Sequence, residues 1–413
     1  MAYGSRTLIH NDVLQYLRPA RLERATYGFE VRYSIQMSYE RGNLPIFNVY
    51  ESNGWMTGFE PATTRSTIWD STAELHPPYI IKYEGIGRFC QLAGANQNCY
   101  TEYKMNLEAF ILGSGGMMPL PNRHLTSVLL RREGDLFLFD CGEGTQVALR
   151  KLNLRWKKIS AIFISHTHAD HVTGLPGLLM LSSQVDRDDP LYIYGPPRIA
   201  EYIETSRRVL DMYINYEIVV KEITEPGILY SGDGFHVRTF PLRHTKPCYG
   251  YTMEEDIRPG EFHPEKAVAL NVPRGPLWSR LQGGETVKSS DGKDITPLDV
   301  LGPPRSGRKF SFVTDTLAFP EIAREVAGSD LFVCEGMFEK ELAADAKEKK
   351  HMTAVEAALL ALAAGDVKKL SLIHYSPRYT EHNLKQLLKE AQAVFPQTVL
   401  SRDRAVFPIE FEE

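Results

Sequence analysis

The sequence from Met105 onward predicts a layered α/β fold, and three features carry that expectation. Short runs rich in β-branched and aromatic residues recur. Helix-like segments separate several of them, and Gly, Asp, His or Glu follows almost every run at once. Strands alternating with helices stack into layers, and polar groups at strand ends let loops converge on one site.

The strand candidates are LEAFILG, SVLLRR, LFLFDCG, AIFISH and LYIYGP, then, much later, KFSFVTD, LFVCEG and KLSLIHY. Between them GTQVALRKLN, LPGLLMLSSQV and the alanine-rich TAVEAALLALAAG read as helices. No internal repeat with a clean period is visible, although each half of residues 105–413 contributes site residues. Residues 1–104 differ in texture, with isolated aromatics, Thr, Ser and Pro and no strand–helix alternation. The stretch TGFEPATTRSTIWDSTAELHP (Thr57–Pro77) resembles a peptide that appears when transfer-RNA genes are conceptually translated. Residues 1–104 are therefore read as a mis-assigned upstream reading frame, with Met105 the true start, or else as a poorly structured extension. Neither reading gives them a function.

Composition is that of a soluble globular protein: 413 residues, 43% hydrophobic, 24% charged, net charge −5. That mild acidity argues against a generic basic nucleic-acid coat and leaves room for a local basic patch. The cysteines (Cys90, Cys99, Cys141, Cys248, Cys334) are odd in number and scattered without a C-x-x-C pair. Neither a disulfide framework nor a zinc ribbon is indicated. No apolar run approaches the ~18–20 residues that span a bilayer. MAYGSRTLIHNDVLQYLRP lacks the apolar core of a signal peptide, so a reducing cytoplasm and no membrane are expected.

The densest chemistry lies in AIFISHTHADH. The apolar run ends at Ser165, so His166 begins the loop beyond a strand. A tight loop can aim His166 and His168 at one point, while the adjacent Asp170 and His171 point to a second. Imidazole and carboxylate without thiolate suit zinc, with manganese or iron as substitutes. Four groups do not complete two metal centres, so more ligands are required downstream. Each of the candidates follows a strand-like run: His244 in FPLRHTKPCYGY, Asp315 in KFSFVTDT and His374 in KLSLIHYSPRY.

This set resembles the metallo-β-lactamase superfamily, a four-layered αβ/βα fold with a dinuclear zinc site. The resemblance implies one zinc on His166, His168 and His244 and another on Asp170, His171 and His374, bridged by Asp315 and a water. Such a pair suits phosphodiesters as well as lactams and thioesters. The flanks narrow the choice. FDCGEGTQVAL (Phe139–Leu149), SHTHADHVTGLPGLL, CEGMF with KHMTAVEAA, and LIHYSPRY are together similar to the ribonuclease Z family of tRNA 3′-processing endonucleases, over essentially all of residues 105–413. That similarity implies a zinc-dependent endoribonuclease that removes the 3′ trailer from precursor tRNA, leaving a 3′-hydroxyl on the tRNA and a 5′-phosphate on the trailer. It also implies a homodimer.

By the same resemblance, Asp140 orients a metal-bound histidine, a role close to that of a buried acid closing a turn. Glu335 orients His351, which protonates the leaving 3′-oxygen, and Asp170 takes the proton of the attacking water. The bland alternative for His351 is a helix-start residue before MTAVEAALL. The segment at about 252–292, broken by Pro and Gly, resembles through GPLWSRLQGGETV a protruding substrate-binding arm that grips the tRNA body. Glu254, Glu255 and Asp256 make its first half acidic. Lys266, Arg274, Arg280 and Lys288 are candidate phosphate contacts, and Trp278 stacks on RNA or packs the arm. Arg305, Arg308 and Lys309 in PPRSGRKF, with Arg123 and Arg378, extend the candidate RNA-binding set.

One departure stands out. In LGSGGMMPLPNRHLTS, Pro119 and Arg123 match the family's PxKxRN loop, but Pro121 stands for its Lys and His124 for its Asn. The change bears on cleavage position and on discrimination against CCA ends, not on catalysis. The rival enzyme reading is a small-molecule phosphodiesterase or arylsulfatase-like hydrolase on the same fold, which has no use for an arm. An RNA-binding module with a vestigial site is the non-enzymatic rival, and the intact ligand set speaks against it.

Overall fold

The computed structural model describes residues 106–184 and 187–411, together with the backbone of two earlier strands. These strands, β1 (Val31–Ser38) and β2 (Ile46–Asn53), pair antiparallel with Val31 opposite Asn53. The chain divides between Asn98 and Cys99 into two units, a few residues before the boundary expected at Met105. The stretch Thr57–Pro77 lies outside the described residues.

Two seven-stranded sheets build the second unit. The first comprises β3 (Leu107–Gly113), β4 (Ser127–Arg132), β5 (Asp135–Phe139), β6 (Ile159–Phe163), β7 (Leu191–Gly195), β8 (Ile218–Glu222) and β18 (Val406–Pro408), in the order β18-β3-β4-β5-β6-β7-β8. The second comprises β9 (Gly227–Gly232), β10 (Phe235–Arg243), β11 (Pro247–Glu255), β14 (Lys309–Val313), β15 (Leu331–Glu335), β16 (Leu370–Ile373) and β17 (Thr398–Leu400), in the order β17-β16-β15-β14-β11-β10-β9. Both follow one plan. Antiparallel pairing runs through the first four strands, ending at β5 in one sheet and β14 in the other, and the three strands beyond are parallel. The repeat that the sequence hides is thus a repeat of topology.

Central strands read as unbroken apolar runs because both of their faces are buried. In β5, Phe137 and Phe139 face the other sheet while Leu136 and Leu138 face helices. The inter-sheet core is aromatic: the Phe139 ring lies 5.2 Å from Phe163, 5.1 Å from Phe310 and 6.0 Å from Tyr251. The Tyr251 hydroxyl, fully buried, donates to the Ile164 carbonyl of the facing sheet. Helices α1 (Thr145–Lys151), α2 (Ala169–Val172), α3 (Leu175–Ser182) and α4 (Ile199–Val209) cover the outer face of the first sheet.

Between β11 and β14 the chain makes an excursion through α5 (Pro264–Ala269), α6 (Pro276–Gln282), the β12 (Val287–Lys288) and β13 (Asp294–Ile295) pair, and α7 (Pro297–Val300). Outside the second sheet lie α8 (Pro320–Val326), α10 (Ala354–Ala364) and α11 (Leu384–Gln392), while α9 (Ala343–Glu348) covers Met337 and Phe338 past β15. The layers are therefore αβ/βα, as expected. Thr353 caps α10 and Glu356 returns the bond, so His351 precedes the helix rather than opening it.

The arm differs from expectation in extent and in packing. Strand β11 continues through Glu255, because Tyr251 and Met253 alternate into the inter-sheet core, so Glu254 and Glu255 belong to the sheet. The arm proper is rooted by the bridges Arg258–Arg305 and Phe262–Leu301. It has its own small core of Ala267, Val272, Leu281, Val287, Ile295 and Val300. Trp278 packs that core: its Nε1 donates to the Val272 carbonyl at 3.2 Å, and its ring lies 5.2 Å from Phe262. Fully buried Phe139 bridges both sheets, so Phe139→Ala is expected to cost about 3–5 kcal/mol of unfolding free energy in a denaturant titration.

Candidate metal centre

Every group of the expected ligand set emerges at the edge where both sheets end. His166 follows β6, His244 follows β10, Asp315 follows β14, His374 follows β16, and Asp170 and His171 sit in the single turn α2. Three non-glycine residues at these ends, Asp140, Asp315 and His374, take left-handed backbone angles, φ 55, 26 and 59. Such strain persists where surrounding structure dictates it, and it turns each side chain out of the pleat.

Two groups of donor atoms result. His166 Nε2 lies 2.9 Å from His168 Nδ1, which lies 3.2 Å from His244 Nε2. Asp315 Oδ2 faces this group, 3.5 Å from His166 Nε2 and 3.8 Å from His244 Nε2. The other oxygen of the same carboxylate, Oδ1, faces the second group, 3.3 Å from His171 Nε2 and 3.1 Å from His374 Nε2. Asp170 Oδ2 completes it at 3.7 and 3.9 Å from the same two nitrogens. Asp315 thus stands between the two clusters with one oxygen toward each.

The hydrogen bonds behind the rings settle their tautomers. His244 Nδ1 lies 3.0 Å from the Lys350 carbonyl and must donate to it. His171 Nδ1 donates to Asp140 Oδ2 at 2.7 Å. The hydroxyl of Thr126 gives its proton to the Gly115 carbonyl and therefore accepts from His374 Nδ1 at 2.7 Å. Ser165 gives its proton to Asp140 Oδ2 and accepts from His166 Nδ1 at 3.0 Å. In all four rings the Nε2 lone pair is left facing the cleft. Neither His171 Nε2 nor His374 Nε2, both buried, has any hydrogen-bond partner. Converging bare imidazole nitrogens, carboxylates and the absence of thiolate are the donor set of a divalent cation site.

Charge tells the same story. Burial drives His166 well below its ordinary pKa and His244 down to about 4, so both rings are neutral donors. For His171 burial works in the same sense, but Asp315, Asp140 and Asp170 outweigh it and raise the ring well above its usual value. Three carboxylates therefore demand positive charge at that point. Close packing serves the same end. A Cβ on Gly116 would stand 2.5 Å from His374 Nε2, and one on Gly142, the first glycine of GEGTQ, would stand 2.5 Å from the Asp170 carbonyl.

Glu335 and His351 adjoin this centre. His351 Nδ1 lies 3.0 Å from Glu335 Oε2, while Glu335 Oε1 accepts from the Thr316 amide. The free His351 Nε2 lies 4.0 Å from Asp315 Oδ2, and the ring stacks on His374 at 5.6 Å. Burial opposes protonation of His351, but the Glu335 carboxylate prevails and lifts it to about 9.

The candidate RNA contacts separate into two groups. Lys266, Arg274, Arg280 and Lys288 are exposed on the arm, where Arg280 pairs with Glu285 and Lys288 with Asp294, each at 2.8 Å. Arg378 is exposed beyond β16. Arg123 and Arg308 differ from these in burial. Arg123 is buried, bonded to the Tyr379 carbonyl and Glu381, and Arg308 is buried in a two-point pair with Glu255. These bonds hold both guanidinium groups inside the protein. In the PxKxRN-like loop Pro121 is exposed, and the His124 amide donates to Asp403. Sequence reasoning missed Ser165, Thr126 and the Met117 amide, which donates to Asp170 Oδ2 at 2.6 Å. Ser165 was discernible as the residue before His166. Thr126 was not, since it lies 248 positions from the histidine it orients.

Comparison with known proteins places this geometry. Residues 107–258 match the family model of the anti-Pycsar protein Apyc1. The metallo-β-lactamase fold protein YhfI from Bacillus subtilis superposes with TM-score 0.52 at 19% identity, covering 74% of this chain and 100% of that one. Fold and site together define a metal-dependent hydrolase of the metallo-β-lactamase fold. Ribonuclease Z of Treponema denticola is 72% identical over 309 residues, 75% of this chain and 100% of its own length. Human tRNase Z, short form, superposes with TM-score 0.54 at 26% identity, covering 74% and 100% of the two chains. The chain belongs to the ribonuclease Z family.

Asp140 holds His171 directly and His166 through Ser165. Asp140→Asn is therefore expected to weaken divalent-metal binding about 10–100-fold, read by competition with a chromophoric chelator.

Proposed function

We propose that the chain is a zinc-dependent endoribonuclease that cuts the 3′ trailer from precursor tRNA. The observation that carries this reading is the end-to-end match to the Treponema denticola enzyme in a chain that retains every expected ligand. His166, His168 and His244 would hold one zinc and Asp170, His171 and His374 the other, with an oxygen of Asp315 facing each group; manganese would be a substitute. When bound, the pair supplies a water of lowered pKa and positive charge opposite the phosphodiester oxygens.

The chain's own groups move the protons. Asp170, steadied by the Met117 amide, accepts the proton of the attacking water. Water oxygen bonds to phosphorus as the bond to the 3′-oxygen breaks. His351, kept protonated by Glu335, gives its Nε2 proton to that leaving oxygen. The tRNA leaves with a 3′-hydroxyl and the trailer with a 5′-phosphate. Exposed Lys266, Arg274, Arg280 and Lys288 on the arm contact tRNA phosphates, so recognition follows shape rather than sequence. Pro121 and His124 make the cleavage position this chain's own matter.

The reading extends to a catalytic unit of residues 105–413, acting in the cytoplasm as a homodimer. The 309 residues aligned with the relative are as many as run from Met105 to Glu413. Cys141, Cys248 and Cys334 are free and buried, consistent with a reducing compartment. Among the described residues no helix is long and apolar enough to cross a membrane.

Replacing residues 259–303 by a short Gly/Ser linker is expected to abolish cleavage of precursor tRNA while hydrolysis of bis(p-nitrophenyl) phosphate continues. Unimpaired tRNA cleavage would refute the arm's role and favour a small-molecule phosphodiesterase. His351→Ala should lower kcat on precursor tRNA by about 10²–10⁴-fold. It should affect the nitrophenyl diester far less, because nitrophenolate leaves without a proton; equal losses on both substrates would contradict the assignment.

A further inference from the structure

The arm meets the body at two chain crossings, outward after Glu255 and back into Arg308. A two-stranded connection of this kind is a hinge unless something blocks its bending. Three groups do so. Glu255 takes both Arg308 Nε and Nη2 at 2.8 Å and also Arg132 Nε of β4 at 2.8 Å. That carboxylate thus ties the root to both sheets. The chain's C-terminal end then crosses the root from outside. It is fixed to the body by the Ile409 amide on the Leu107 carbonyl at 2.8 Å, and Arg308 Nη1 donates to the Ile409 carbonyl at 3.1 Å. Beyond it the Phe411 ring lies under two guanidinium groups, 3.5 Å from Arg258 Cζ and 3.9 Å from Arg308 Cζ. Arg258 stands on the outgoing crossing and Arg308 on the returning one, so one ring engages both. Two like charges so close are tolerable only with an aromatic face and Glu255 beside them.

We propose that Phe411, with Arg258 and Arg308, is a clamp that sets the arm's angle to the body and so governs the grip on structured RNA, with no part in the chemistry. The proposal rests on the reading of the arm as the tRNA-binding element. Phe411 is a positioning residue: it acts through the arm root and touches none of the metal-ligating groups.

The full-length chain tests this with Phe411→Ala and the conservative Phe411→Trp. Phe411→Ala should raise KM for precursor tRNA on the order of ten-fold, leaving kcat and bis(p-nitrophenyl) phosphate hydrolysis unchanged. Amides of residues 257–262 and 301–307 should exchange hydrogen faster, and Phe411→Trp should restore both readouts. An unchanged KM with unchanged exchange overturns the clamp, as does a parallel fall in both hydrolytic activities. If the armless enzyme cleaves precursor tRNA normally, the reading of the arm fails; the exchange measurement then still decides whether Phe411 holds the root.

Discussion

Four imidazoles whose Nε2 lone pairs converge in a buried cleft repel one another unless positive charge stands between them. Each ring is held from behind by a hydrogen bond that fixes its tautomer. Asp315 is the hinge of the electrostatics. Its two oxygens face different ring pairs, so one side chain couples the clusters into a single unit. The strained turns, the glycines that let loops touch, and the serine and threonine behind the rings all serve this convergence.

The rest of the fold is built to hold strand ends still. An aromatic core between the sheets, with rings at 5–6 Å, resists sliding of one sheet over the other. Because ligands come from both sheets, any such slip would open the site. The arm has a separate small core, and the bridges Arg258–Arg305 and Phe262–Leu301 root it in the body.

Much of this was legible in the sequence because it depends on local signals. HTHADH carries four ligands within one loop and turn, and β5, β6, β14, β15 and β16 announce themselves as apolar runs ending in Asp, His or Glu. What stayed hidden depends on distance. Arg308 and Arg123 look like free cations in a basic stretch, and only folding brings Glu255 and Glu381 against them. Glu254 and Glu255 read as part of the arm because they end β11 with no turn residue to mark where the strand stops. The arm's core was invisible because six small contributors are spread among prolines and glycines.

The shared plan of the two sheets has a consequence for how the site is divided. Asp140 follows β5 and Asp315 comes two residues past β14, the last antiparallel-paired strand of each sheet, and both adopt left-handed backbone. They occupy comparable places, one residue past β5 and two past β14. In one sheet the acid reaches the cleft and faces both clusters. In the other it is withdrawn, accepting from His171 and Ser165 instead. Two acids at comparable strand ends thus make one asymmetric centre: one stands between the clusters and the other lies behind the rings.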